Sequence, residues 1–369
     1  MGDTPTIGDL QSAMESIAPT RLAESWDNVG LLVGDAAAEL SGVSLCIDLT
    51  ADVLAEARQS GANAVVAYHP PIFKDVKTLH AGDVVFDAIR QGVAVYSPHT
   101  ALDVAPGGTN DVLADLLYLT HRKPLAPKPA SKGDLRLVTF VPADHADDVA
   151  KALFDAWAGS YGDYDSCAFR TTGTGSFRGL DGSNPAIGQP GQLETVKEVR
   201  LETTLPAGKA DEVVAALRQT HPYEEVAFDL LRREPDPAQV VGLGRIGDFD
   251  EPVPRDVLFG RIRRELNVGE LLVAGPVDGE VKRIACCAGS CGDLLDSAAK
   301  QGAELYVTGE LKHHDALRAA KLGLTAVCVL HSNSERPTLD VLRRRLSDLL
   351  PASVEVAVSH VDRDPFVIL

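Results

Sequence analysis

The sequence predicts an α/β protein in which the N- and C-terminal halves of one domain are pseudo-twofold duplicates, interrupted by an inserted ferredoxin-like α+β domain. Three observations carry this expectation. From Val43 onward, apolar strand-like runs alternate with helix-length segments that close at Gly61 and Gly92, the pattern of crossover units on a parallel sheet. The same order returns after Arg283, with Gly302 and Gly323 in the closing positions. Between the two, Val141-Pro142-Ala143-Asp144 and the residues after it align without gaps on Leu205-Pro206-Ala207-Gly208 and its continuation. Two β-α-β units in tandem suit a ferredoxin-like sandwich.

In chain order, residues 7–17 read as an amphipathic helix, followed by Pro19. Next comes Glu24-Ser25-Trp26-Asp27-Asn28-Val29-Gly30, either a capped turn whose Trp26 packs on the core or a wall of an active cleft. The first half continues with strands 43–49, 64–68 and 93–96 and helices 52–59 and 83–90. Its counterpart has strands 283–288, 304–307 and 325–330 and helices 293–300 and 314–321. Residues 122–133, rich in Pro and Lys, have a linker's composition, and a second break is expected at 232–237. Expected domain limits are therefore 1–128 and 235–369 for the two halves and 129–234 for the insertion. Inside the insertion, strands are expected at 135–141, 166–169, 196–205 and 226–231, and 173–191 as a surface loop or hairpin. The Gly242-Leu243-Gly244 pair lacks the strand-before, helix-after setting of a phosphate loop.

Composition removes several function classes. A net charge of −18 and 5% aromatic content leave neither a basic stripe to release counterions from nucleic acid nor stacking platforms for single strands. The apolar runs are too short to cross a bilayer and the N-terminus lacks a signal-peptide order, so a cytoplasmic location is expected. Six cysteines without a CxxC pair suit a reducing compartment. Cys286-Cys287-Ala288-Gly289-Ser290-Cys291 is a denser cluster, but neighbours on a strand should face opposite ways, which weighs against a shared thiolate site.

The chemistry gathers at strand ends, where open parallel sheets hold ligands. Val65-Val66-Ala67-Tyr68-His69-Pro70-Pro71 stops an apolar run at an imidazole, and two prolines prevent continuation. His99 and His331 stand past two other strands, each with a carboxylate four residues on, Asp103 and Glu335. Imidazole with carboxylate suits zinc, manganese, iron or nickel, and a carboxylate can bridge two ions. His69, Asp103, His331 and Glu335 are the expected ligands. Glu310 is expected near them, His99 either ligates or orients Asp103, and His313 and His314 diverge at a helix start. His221 is expected to begin a strand of the insertion.

Five ordered motifs together resemble the NGG-interacting-factor-three-like family: Trp26-Asp27-Asn28-Val29-Gly30, Tyr68-His69-Pro70-Pro71, His99-Thr100-Ala101-Leu102-Asp103, Thr308-Gly309-Glu310-Leu311-Lys312-His313-His314 and His331-Ser332-Asn333-Ser334-Glu335. Its members carry the name GTP cyclohydrolase one, type two homologue. The resemblance implies a toroidal homohexamer with a dinuclear metal centre and an insertion similar to the PII and CutA proteins, here residues 135–232. It implies that His69, Asp103 and Glu335 hold one ion, and His331 and Glu335 the second. Zinc stands first among the two divalent ions expected per subunit, with iron, manganese or nickel as alternatives. Tyr68 departs from the pattern, since many members have a histidine there. The departure removes a ligand from the second ion unless a metal lowers the phenol's pKa far below about 10.

Two function classes follow. One is a dinuclear-metal-dependent hydrolase acting on GTP or a related small anionic nucleotide. No guanine-reading motif is visible, so the nucleotide rests on the resemblance alone, and the residues assign no catalytic group. The other is a non-catalytic metal-binding oligomeric scaffold or regulatory protein.

Overall fold

The computed structural model describes residues 4–129, 134–161, 164–233 and 240–367. The chain divides into two compact units, Met1–Lys128 with Val241–Leu369 and Pro129–Val240. The described residues form a mixed α/β structure with three sheets.

The first unit opens with α1 (Ile7–Ile17), held by a reciprocal capping box between Thr6 and Asp9. Strand β1 (Gly30–Val33) precedes the alternation β2 (Gly42–Cys46), α2 (Ala51–Gln59), β3 (Ala64–Ala67), α3 (Val84–Arg90), β4 (Ala94–Ser97). Two helices follow, α4 (His99–Val104) and α5 (Thr109–Leu116), and then β5 (Thr120–Pro129). The second unit contains β6 (Asp134–Pro142), α6 (Ala146–Asp155), β7 (Ala168–Arg178), β8 (Leu193–Pro206), α7 (Ala210–Thr220) and β9 (Phe228–Arg232). The chain returns through β10 (Val240–Pro254), α8 (Arg255–Leu266) and β11 (Leu272–Ala274). A second alternation runs β12 (Glu280–Cys287), α9 (Leu295–Lys300), β13 (Leu305–Thr308), α10 (His313–Lys321), β14 (Thr325–Cys328). Helices α11 (His331–Glu335) and α12 (Pro337–Leu349) and strand β15 (Glu355–Val358) complete it.

Two sheets build the first unit. One has the order β1-β4-β3-β2-β15 and the other β11-β14-β13-β12-β10-β5. In each, three successive strands run parallel and an antiparallel strand flanks the third. Strands β3, β4, β13 and β14 are buried along their whole length, which explains why they read as continuous apolar runs rather than alternating ones. Both faces of the second sheet are covered: Ile284, Cys286 and Val307 pack with α8, while Ala285, Cys287 and Tyr306 pack with α9 and α10.

The residues expected as a linker differ from that expectation. Residues 120–129 form β5, the edge strand beside β10. Prolines are tolerated there because an edge strand has ladder positions that need no donor. Residues 130–133 of the expected linker, and 234–237 of the second break, lie outside the described residues. The Gly242-Leu243-Gly244 segment is part of β10. Its Gly242 and Gly244 carbonyls each accept from Arg245 Nη1 at 2.8 Å. The same buried guanidinium forks onto Asp111 of α5, at 2.7 and 2.8 Å.

In the second unit the order is β7-β8-β6-β9, all antiparallel. Leu137, Val141, Leu201 and Leu205 pack against Val149 and Leu153 of α6 and Val213 and Leu217 of α7. Strand β7 runs to Arg178, so Gly173 to Arg178 lie in the sheet and the connection is shorter than expected. Here Gly175 makes room for Glu198: an added Cβ would lie 2.1 Å from its Oε2. His221 does not begin a strand. It ends α7, and its ring bonds the Phe140 carbonyl and the Tyr223 N–H at 3.0 and 3.1 Å. Among the described residues no helix is long and apolar enough to cross a membrane.

Candidate metal centre

The carboxyl ends of β3 and β14 bring His69 and His331 together, with ring centroids 5.3 Å apart. Glu335 stands between them. Its Oε1 lies 3.2 Å from His331 Nε2 and its Oε2 3.3 Å from His69 Nε2. Ligand atoms of these three residues all fall within 4.8 Å of one another. The i,i+4 spacing on α11 puts His331 and Glu335 on one helical face, while Gly289, in a left-handed conformation (φ 77°), lets another loop pass beneath. A Cβ there would meet Glu335 Oε1 at 2.9 Å.

Three histidines are held at Nδ1 by carboxylates. His69 pairs with Asp48 at 2.9 Å, His99 with Asp27 at 2.8 Å and His331 with Glu310 at 3.1 Å. An Nδ1–H bonded to an acid fixes the tautomer and turns the Nε2 lone pair outward, as in metal-ligating histidines. Backbone strain sits at two of the junctions that aim them. His99 has φ 28° and Leu330, just before His331, has φ 70°, conformations that cost about 1–3 kcal/mol and gather at functional sites.

Asp103 is outside the close trio. Its Oδ1 accepts the Tyr68 hydroxyl proton, and that hydroxyl also lies 3.2 Å from Thr109 Oγ1. Burial, reinforced by the nearby Asp103 and Glu335 carboxylates, pushes the Tyr68 phenol well above its ordinary pKa, so Tyr68 acts as a donor to Asp103. Burial likewise lifts Asp103 to about 6 against the pull of Tyr68. The His99 ring is oriented by Asp27 and not through Asp103, and Asp27 also accepts from the Thr100 N–H at 3.1 Å and from its hydroxyl. Burial opposes a charged His69, but the Asp48 bond and the nearby Glu335 carboxylate outweigh it and raise its pKa to about 10. The Glu335 bond lifts His331 to about 9.

These residues fit a divalent cation. Glu335 is 3% exposed, and its Oε2, 3.3 Å from His69 Nε2, has no hydrogen-bond partner. An orphaned buried carboxylate oxygen costs free energy unless a cation or proton meets it. Asp27, Asp48, Asp103, Glu310 and Glu335 outnumber the three imidazoles, leaving an excess of negative charge for a cation to balance.

Two of these acids were not singled out in the sequence. Asp48 sits just past β2, whose parallel register with β3 pairs Cys46 with Ala67; two residues on, Asp48 faces His69. An acid ending a buried apolar run was the available signal. Asp27 looked like a turn residue, yet its side chain is fully buried. Trp26 is 59% exposed and so does not pack on the core; its ring lies 6.0 Å from Phe73 and 6.1 Å from His99. His313 and His314 meet edge to face at the exposed start of α10, outside the trio. Replacing Asp48 with Asn should lower affinity for a divalent ion by about 10–100-fold with little change in melting temperature, as isothermal titration calorimetry and thermal denaturation would read.

Comparison with known proteins identifies the family. A family model described as Duf34/NIF3 (NGG1p interacting factor 3) matches residues 5–365. A Bacillus subtilis protein named GTP cyclohydrolase 1 type 2 homolog is 36% identical over 365 residues, covering 96% of each chain. A Mycobacterium tuberculosis protein of the same name is 36% identical over 369 residues, covering 98% of this chain and 96% of that one. Among solved structures, a Bacillus cereus protein related to NIF3 superposes with a TM-score of 0.75 at 35% identity, and a Staphylococcus aureus protein with 0.81 at 28%, each covering 100% of both chains. A family match over nearly the whole length, with relatives this similar end to end, places the chain in the Duf34/NIF3 family.

Proposed function

We propose that this protein is a divalent-metal-dependent hydrolase acting on GTP or a related nucleotide, with His69, Asp103, His331 and Glu335 holding two ions per subunit. Zinc is the first choice, given imidazole and carboxylate donors, with iron, manganese or nickel as alternatives. The observation that carries the reading is the buried Glu335 carboxylate between two imidazole Nε2 atoms, Oε1 beside His331 and an unpartnered Oε2 beside His69. A divalent ion, when bound, supplies Lewis acidity and draws the pKa of water toward neutrality.

The chain's own residues supply the rest. Asp48 and Glu310 fix the His69 and His331 rings, and Tyr68 steadies Asp103 through its hydroxyl. His99, its Nδ1 taken by Asp27, keeps Nε2 free to carry a proton at the mouth of the site. The exposed rings of Trp26 and Phe73 beside His99 form an apolar wall. Stacking of a heterocycle on such rings contributes about 1–3 kcal/mol per base, which favours a nucleotide over an aliphatic substrate. In a chain of charge −18, an anionic substrate needs the cations to offset repulsion.

The same reading includes a pseudo-twofold duplication of the first unit, supported by the matching strand orders of its two sheets, and a ferredoxin-like, PII/CutA-like insertion. The β7-β8-β6-β9 order and the two helices on one face support the insertion. Domain limits of 1–128, 129–234 and 235–369, a homohexameric assembly and a cytoplasmic location belong to it as well. The test is turnover of GTP and a nucleotide panel by metal-reconstituted protein beside Glu335→Gln. Loss of at least about 100-fold in the variant is expected for a residue that acts on the reacting centre. Equal rates would leave the metal-binding scaffold as the better description.

A further inference from the structure

Cys286 and Cys287 do face opposite sides of β12, one in each core layer of the second sheet. The alternation that separates them ends with the strand. The chain turns through Ala288-Gly289-Ser290 and brings Cys291 back against Cys287, with the two Sγ atoms 2.6 Å apart. Both are free thiols, yet their separation exceeds a disulfide bond of about 2.05 Å by only about half an ångström. Cys287 is buried and Cys291 is partly exposed.

The turn between them is held on every side. Ala288 N–H donates to Asn110 Oδ1 at 3.0 Å and Gly289 N–H to Ser334 Oγ at 2.8 Å. The Gly289 carbonyl accepts from Gly309 N–H at 2.9 Å and the Thr308 hydroxyl at 3.1 Å. Tyr306 donates its hydroxyl to the Cys291 carbonyl at 2.9 Å. Cys287 is fixed by the ladder of β12 with β13. A bond between the sulfurs therefore needs side-chain adjustment and little backbone movement, the condition that decides whether two cysteines can be bridged.

We propose that Cys287 and Cys291 form a reversible intramolecular disulfide by reaction with a hydroperoxide. The Cys291 sulfur attacks the outer peroxide oxygen, the O–O bond breaks, and the leaving oxygen departs as an alcohol or water after taking the thiol proton. Cys291 is then a sulfenic acid. The Cys287 sulfur attacks it, the S–S bond forms, the S–O bond breaks, and hydroxide leaves as water with the Cys287 proton. Two thiols and one peroxide give one disulfide, one alcohol or water and one water. Two electrons pass from sulfur to oxygen, and a dithiol reductant reverses the change. The closed ring contains Gly289, the residue that lies against Glu335, so the bond would tie down the loop beneath the histidine pair. The proposal goes beyond the hydrolase reading and does not depend on it.

Peptide mapping tests it directly. Cleavage after Arg283 and Lys300 releases one peptide carrying Cys286, Cys287 and Cys291. Reduced full-length protein is treated with one equivalent of hydrogen peroxide, alkylated under denaturing, non-reducing conditions, digested and fragmented in a mass spectrometer. The expected peptide has lost two hydrogens and carries a single alkyl group, on Cys286; prior treatment with dithiothreitol restores alkylation of all three. Cys291→Ser protein should show both remaining thiols alkylated with or without peroxide, whereas in Cys287→Ala protein peroxide should leave Cys286 alkylated and Cys291 stranded as a sulfenic acid that dimedone traps. Alkylation of all three thiols after peroxide, a bond involving Cys286, or oxidation of Cys291 to sulfinic acid with Cys287 still alkylated would each overturn the proposal.

Discussion

Replacing Glu335 with Gln is expected to lower divalent-cation affinity by more than the roughly 10–100-fold that loss of a supporting carboxylate produces. Glutamine keeps the shape of the side chain but removes the charge that faces both Nε2 atoms. It also places an amide N–H₂ where a cation would approach. Because Glu335 is the buried member of the trio, no water can replace its oxygen from the solvent side. Calorimetric titration with zinc would show the change as a shift in Kd, and equilibrium dialysis with elemental analysis would show it as lost stoichiometry. An affinity within a few-fold of the parent would remove Glu335 from the ligand set.

The second large effect concerns stability and lies away from the metal centre. Arg245→Met is expected to destabilise the protein by about 3–5 kcal/mol, the cost of breaking a buried pair by removing one partner. The side chains of Arg245 and Asp111 are 5% and 12% exposed, so removing the guanidinium frees two glycine carbonyls and leaves the carboxylate only the Gly107 N–H at 2.8 Å and Arg122 at 3.5 Å. At about 2–4 °C per kcal/mol, the melting temperature should fall by roughly 6–20 °C. The double variant Asp111→Leu, Arg245→Met should recover much of the loss, since replacing both partners with apolar side chains is often neutral. Burial alone would raise the Asp111 pKa, but the Arg245 bond and charge outweigh it and hold the carboxyl below its usual range. The sign follows from that depression. The pair's contribution is fully present above the unfolded aspartate value of about 3.9 and is lost as pH falls through the lower folded value. Acid denaturation of Arg245→Met should consequently show a shallower loss of stability below about pH 4 than the parent.

Much of the first unit was legible because local and global signals agree there. The 7–17 helix has its cap and its apolar spacing in one stretch, and the buried parallel strands are short apolar runs bounded by Gly, Pro or His. His331 and Glu335 could be paired on paper because an i,i+4 spacing on a helix is a statement about neighbours. Asp48 could not, because its contact with His69 depends on the register of β2 against β3, which no local pattern encodes. The same limit explains the Pro-rich segment at 120–129. Its partner β10 lies more than a hundred residues later, and only that pairing makes it a strand. The Cys286–Cys291 cluster is visible in the sequence, but the two-residue period that separates Cys286 from Cys287 and weighs against a shared site ceases at Ala288, where the chain turns and brings Cys291 to Cys287. The departure at Tyr68 was visible as a residue, but its role came only with Asp103 in place to take its proton.

We propose that imidazoles from both halves of the first unit and one buried carboxylate grip a cation. The most direct measurement is an anomalous difference map, collected at the absorption edge of whatever metal elemental analysis finds in protein purified without added ions. The account predicts a peak about 2.0–2.1 Å from His69 Nε2 or His331 Nε2, within bonding reach of Glu335. Protein that carries no divalent metal, or a peak elsewhere with Glu335 Oε2 still unpartnered, would contradict it.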